Sequence, residues 1–226
     1  MQKKPNMTKK FLFFQILFFS FLCSNYGQDD VRSQKIIDDM ATKLKTYPSV
    51  SLEFSATISS LQNKSETEQE GKLWLKSSKY KLETSEFVIF SDGSKNYNYM
   101  PAVKEVYVNP NENSDDFQLL NPQSYFNISS KSFKSKFIRE TVQNKRNVFE
   151  IDLYPVQINT ANYSRIRMMI EKTTLQMVYL KAFMNDGTNY TLSLKPYQFP
   201  QPALRDSFFT FNPLEYPGVE VIDLTF

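Results

Sequence analysis

The sequence predicts a mainly β protein of the α+β class, built on an antiparallel meander sheet of about ten strands with one helix at its start. Three observations carry this expectation. Short segments with strict apolar/polar alternation recur along most of the chain. Tight-turn signals such as Ser91-Asp92-Gly93 and Asn185-Asp186-Gly187-Thr188 separate several of them. The hydrophobic period changes from 3.6 to 2 at Pro48, which separates one helical segment from everything after it.

The chain opens on a leader. Lys3, Lys4, Lys9 and Lys10 precede the apolar stretch Phe11 to Leu22, as in a secretory signal peptide with cleavage expected after Gly27. The apolar stretch is shorter than the roughly 20 residues that a membrane-spanning helix needs. Cys23 is the one cysteine, and it raises lipid anchoring as an alternative. Leu22 stands before it, where lipoprotein signals usually carry a small residue. Residues 28–226 are therefore expected to form a single exported domain, free of cysteine and of disulfides.

The formal charge of +3 comes from 27 basic and 24 acidic residues. Four lysines and no acid lie in the leader, so the remainder has 23 basic against 24 acidic side chains, a net of −1. A nucleic-acid partner loses its electrostatic basis. The chain has no histidine, which removes Ser-His-Asp and Cys-His triads and histidine metal sites. Its five glycines form no phosphate-binding loop, and no G-x-S-x-G elbow occurs. No enzyme, cofactor or metal site is expected.

The first element after the leader is an amphipathic helix, with Asp29 or Asp30 as cap and Ile36, Ile37, Met40, Leu44 and Tyr47 at helical spacing. Asp38 and Asp39 fall on its solvent side. Beyond Pro48, Val50, Leu52, Phe54, Ala56 and Ile58 alternate with polar residues through five repeats. Strands follow around Leu73 and Leu75, Tyr80 and Leu82, Phe87 to Phe90, Tyr97 and Tyr99, and Val106 and Val108. A polar loop at 109–116 and a short helix around Asn121-Pro122 come next. Four further strands are expected around Phe149 to Leu153, Ile166 to Ile170, Val178 to Met184 and Tyr190 to Leu194.

Such a sheet must cover its apolar face. A second sheet, closure into a barrel, or strong curvature under the helices would each do so. Curvature would leave an apolar hollow, whereas an ordinary core would fill it, and periodicity leaves both open. Glu66, Glu68 and Glu70 share one strand face and lack the spacing of a calcium loop. Arg165 and Arg167 also share a face, where an anion, or neighbouring side chains and water, would serve as partners.

The ordered motifs resemble the periplasmic outer-membrane lipoprotein carrier family, the LolA-like proteins. They are Phe54-Ser55-Ala56 after the first helix, Glu70 to Lys76, Ile89 to Lys95, Phe209 to Pro213 and Tyr216 to Asp223. The resemblance implies an incomplete antiparallel barrel with helices as a lid, acting as a carrier. Acyl chains of lipoproteins would occupy an apolar cavity on the way from an inner-membrane ABC-type exporter to an unidentified outer-membrane acceptor. The residues expected to line that cavity are Phe54, Ala56, Ile58, Leu73, Leu75, Tyr80, Leu82, Phe87, Ile89, Tyr97 and Tyr99. Met100, Met168, Met169, Met177 and Met184 are candidate adaptable contacts. Ser77 stands where well-studied carriers have a lid-tethering arginine. A periplasmic monomer is expected. A regulatory lipid sensor on the same fold, binding a membrane regulator, is the alternative.

Overall fold

The computed structural model describes residues 26–110, apart from Leu61 and Asn63, and residues 133–225. Most of the expected leader, Cys23 and the short helix expected around Asn121 lie outside them. The described chain is one helix and one twelve-stranded sheet. Helix α1 spans Tyr26–Lys45. The first meander contains β1 (Val50–Ser60), β2 (Ser65–Lys76), β3 (Lys79–Thr84), β4 (Val88–Ser91), β5 (Lys95–Met100) and β6 (Glu105–Pro110). The second contains β7 (Phe133–Gln143), β8 (Arg146–Pro155), β9 (Tyr163–Glu171), β10 (Met177–Met184) and β11 (Thr188–Leu194). Two 3₁₀ turns, Asp206–Phe209 and Pro213–Glu215, lead to β12 (Glu220–Asp223).

The strand order is β12-β6-β5-β4-β3-β2-β1-β11-β10-β9-β8-β7. Two meanders thus meet where β1 pairs antiparallel with β11, from Phe54↔Leu194 to Ser60↔Thr188. The sheet stays open, with β12 and β7 as its edges. It is mixed rather than wholly antiparallel, because β12 lies parallel to β6. Two strands exceed the expected ten. In β7 the buried face includes Ser135, and a register shift between Phe137 and Arg139 breaks the alternation. In β12 three of four residues are exposed, so its short sequence carries no period.

The helix runs N-terminal of both aspartates expected to cap it. Asp30 lies inside α1, and its carbonyl accepts a hydrogen bond from Ser33 Oγ at 2.9 Å. The predicted inward face is correct: Ile36, Ile37 and Met40 are buried, with Leu44 and Tyr47 partly so. Lys35 and Asp39 pair outside. The two predicted turns are built as their sequences imply. Asp92 Oδ1 accepts from the amides of Ser94 and Lys95, and Gly93 takes φ +91°. Asp186 Oδ1 accepts from Thr188 N, and Gly187 takes φ +81°.

Buried side chains from β4 on one side to β7 on the other form one continuous core with α1. Laid flat, the nine strands from β4 to β7 would span about 38 Å at about 4.8 Å per spacing. A helix with its side chains is only about 10–12 Å across. The sheet therefore curls round α1, which packs along edge strand β7. We call the face toward α1 inner and the other outer.

Close approach sets one position in this curl. Gly71 lies opposite Phe54 in the β1–β2 ladder, and the Phe54 ring occupies the space over it. A Cβ there would come within 2.4 Å of Phe54 Cζ and 2.7 Å of the Glu83 carbonyl oxygen. The Gly71→Ala substitution is expected to lower stability by about 1–3 kcal/mol through overpacking. Urea unfolding of both proteins measures it, and an unchanged midpoint would show that the ring relaxes freely.

Candidate apolar site and its covers

The inner face brings most of the expected cavity residues together. Phe54, Leu73, Leu75, Tyr80, Leu82 and Ile89 are buried in the α1 core, and Ala56 and Phe87 pack partly buried against it. Their contiguity follows from register, since Leu73 pairs with Leu82 and Leu82 with Ile89. Ile58 lies toward the end of β1 and remains 46% exposed. Tyr97 and Tyr99 lie on the other side of the sheet. They pair with Phe90 and Val88, and Phe90 faces away from Ile89. Alternation within a strand identifies residues that share a face, but only the register across the turn decides which face.

The second meander supplies an equal share of this surface that the expected set omitted. Ile151, Leu153, Ile166, Met168, Ile170 and Leu180 are fully buried in the same core. Their alternation is present in the sequence; what was missing was the β1–β11 pairing that places them beside Phe54. Of the methionines, Met168 and Met177 are buried in the core, Met184 packs against it and Met100 is exposed. Met169 pairs with Glu150 on the outer face.

Helix α1 packs over this surface along β7 and toward the β9–β10 turn. Between its C-terminal turns and the β9–β10 turn remains a space of about 10 Å³, lined by Met40, Leu44, Tyr47 and Tyr197. That is room for one water at most. Burial pushes the Tyr80 hydroxyl up to about 12, so it stays neutral within the apolar layer. The N-terminal half of α1 is tied to β7 by polar contacts. Ser33 Oγ donates to Ser135 Oγ at 2.8 Å, and both side chains are buried. Arg32 pairs with Glu140, and its guanidinium sits 3.9 Å from the Phe137 ring centre.

The lysines flanking Ser77 serve a different contact. Lys76 and Lys79 hold Asp206 at 2.7 and 2.8 Å, and Lys76 Nζ also donates to the Leu204 carbonyl at 2.7 Å. These bonds clip the C-terminal segment onto the outer face. There Phe208 meets Trp74 edge-on at 5.5 Å. Phe211 packs against Phe90 and stacks on Tyr97 and Tyr216. Tyr97 and Tyr99 therefore pack under this cover instead of lining the inner face. Arg165 and Arg167 pair with Asp152, and Arg167 also with Glu150. A separate hollow of about 230 Å³ is lined by Ser55, Gln143, Arg146, Val178, Leu194 and Pro196, and none of the expected cavity residues borders it.

With this geometry in place, comparison with known proteins is informative. Residues 45–212 match the family described as outer membrane lipoprotein carrier protein LolA. The chain belongs to the LolA family. The match starts at the last residue of α1 and stops at Asn212, so most of α1 and strand β12 lie outside it. LolA-family carriers are non-enzymatic periplasmic proteins that bind lipoprotein acyl chains. An uncharacterized conserved protein from Thermus thermophilus has a similar fold, with TM-score 0.56 and 9% identity over 85% of this chain and 99% of that one. A putative outer membrane lipoprotein-sorting protein domain from Vibrio parahaemolyticus gives 0.49 and 11% identity over 80% and 97%. A DUF1329 family protein from Desulfovibrio piger gives 0.49 and 10% over 80% and 97%. No curated protein matches the chain. No helix among the described residues is long and apolar enough to cross a membrane.

The C-terminal clip has a pH signature. Hydrogen bonds from Lys76 and Lys79 lower the Asp206 carboxyl from 3.8 to about 2. A depressed acid stabilises the folded state above its unfolded pKa, and that contribution is lost as pH falls through the folded one. Trp74, the only tryptophan, sits under the clip. Its fluorescence is expected to hold steady on acidification until pH nears about 2. In Asp206→Asn the released signal should already be present at neutral pH. Identical titrations of the two proteins would refute the assignment.

Proposed function

We propose that the protein carries lipoprotein acyl chains on the inner face of its curled sheet, beneath α1, in transit between the two membranes of the envelope. The observation that supports this reading most is the breadth of that face. Among the described residues, apolar side chains from nine adjacent strands gather on the face that α1 packs against, in a chain of a carrier family. An acyl chain taking the place of α1 would be shielded from water at about 0.8 kcal/mol per methylene. The proposed lining is Phe54, Ala56, Leu73, Leu75, Tyr80, Leu82, Phe87 and Ile89, continued by the second meander. Release from an inner-membrane ABC-type exporter and capture by an outer-membrane acceptor are the partners this reading requires.

Uptake on this reading needs α1 to lift from β7. The Ser33–Ser135 contact offers a direct test, since oxygen atoms 2.8 Å apart place the two side chains within reach of a disulfide. Ser33→Cys with Ser135→Cys is expected to bind a fluorescent fatty-acyl probe only when reduced. Equal binding in the oxidised and reduced states would contradict entry beneath the helix. Native mass spectrometry of protein from a periplasmic extract should also show a bound lipid or lipoprotein. Co-purification of a membrane regulator without lipid would instead favour the sensor reading.

A further inference from the structure

We infer that the outer face of β7–β10, with the β8–β9 loop, is a docking surface for a bilayer rich in anionic lipid. The register builds a cationic field there. Lys136, Asp152, Arg167 and Lys181 form one cross-strand row. Arg139, Glu150 and Met169 form the next row, and Arg165 lies beside Phe183. With Lys134 and Arg146, this face carries seven cations. Among the described residues, Glu150, Asp152 and Glu171 stand against them, an excess of four cations.

Two of those carboxylates do not repel an anion at the surface. Glu150 and Asp152 are each 1% exposed beneath the guanidinium groups of Arg139, Arg165 and Arg167. They hold the arginines in place, and the outermost charge is positive. Elsewhere the outer face is mixed. Across the hydroxyl-bearing strands β1 and β11, the acidic row Glu66, Glu68 and Glu70 on β2 is followed by Lys72, Lys76, Lys79 and Lys81 on β2 and β3. In a domain of net charge close to zero, the cationic excess among the described residues therefore gathers over β7–β10. Such a distribution orients it on an anionic surface without making it generally sticky.

Charge alone would suit an acidic protein equally well. The β8–β9 loop decides for lipid. Tyr154 is 37% exposed, Val156 42% and Ile158 76%, in a segment directly beyond the strand pair that bears Lys134. The apolar side chains stand out singly among Gln157, Asn159 and Thr160, on an exposed loop. A fluid interface accepts such a protrusion, with tyrosine at headgroup depth and cations at the phosphates. Docking there would also bring β7, the strand that holds α1, to the bilayer.

The test is flotation of the purified protein with vesicles of equal parts phosphatidylglycerol and phosphatidylcholine, against pure phosphatidylcholine. Binding is expected only to the anionic vesicles and should weaken with added salt. Lys134→Gln with Lys136→Gln should reduce partitioning about 25-fold, at about fivefold per cation. Ile158→Ser should weaken binding while leaving its salt dependence unchanged, and its exposed site keeps folding out of the question. Lys43→Gln with Lys45→Gln on α1 should bind as the parent does. Equal partitioning to both vesicle types, no flotation, or retention on an acidic protein without flotation would each overturn the inference. The surface stands apart from the acyl-chain reading: the same lysine variants should keep full binding of a soluble acyl probe. Loss of probe binding by the parent protein would leave the vesicle result intact.

Discussion

The pairing of β1 with β11 is the constraint on which the rest of the structure depends. It joins residues about 130 positions apart in the sequence and unites two meanders into one sheet. Side chains alternate with a period of two, so a slip of one residue at this seam would turn every apolar residue of one meander outward. With Phe54 opposite Leu194 and Ala56 opposite Leu192, both halves present their apolar rows to the same side. Curvature follows, because among the described residues the two halves share α1 as their helical cover. Gly71 then lets the Phe54 ring lie flat across β2, at the point where the two halves share their packing.

The outer face poses a separate problem in each half, and the chain solves them differently. Over β2–β6 that face carries Trp74, Phe90, Tyr97 and Tyr99, which leave apolar area in water unless something covers them. The segment from Asp206 to Val219 does so, held by Lys76 and Lys79 at one end and by β12 at the other. Over β7–β10 the same face carries charged side chains in place of a continuous aromatic patch, so no protein cover is required. The positions flanking Ser77 therefore act on the outer cover rather than on the helix. The tie between α1 and the sheet comes instead from Arg32 and Ser33 meeting Glu140 and Ser135.

Much of this was legible in the sequence, and the rest was not for identifiable reasons. The helix face, most strands and both Asp-Gly turns are local properties, set by side-chain period and turn chemistry. The strand β7 was hidden because its inward row includes Ser135, which is satisfied by Ser33 on a helix about 100 residues away. A polar residue reads as outward-facing unless its distant partner is known. Tyr97 and Tyr99 were assigned inward for the opposite reason: they alternate well, but their cover lies in a C-terminal segment with no period of its own. The inward apolar row of the N-terminal half, apart from Tyr97 and Tyr99, was recognisable from alternation. Its continuation in the second meander depended on a pairing that local pattern does not encode.

On the proposed carrier reading, the energetics of α1 explain how one protein can both hold and release a chain. Its polar ties to β7 include an exposed ion pair, which contributes at most about 1 kcal/mol. The larger cost of lifting the helix is exposure of Ile36, Ile37 and Met40, at about 1.5–3 kcal/mol each. An acyl segment of about ten methylenes entering the same surface would gain about 8 kcal/mol. The two terms are of similar size because the helix and the cargo compete for one apolar surface. A deep preformed cavity would bind far more tightly and would retain its cargo. A surface already occupied by the protein's own helix sets affinity by difference, so a modest gain elsewhere, at an acceptor or at a membrane, suffices to move the chain on.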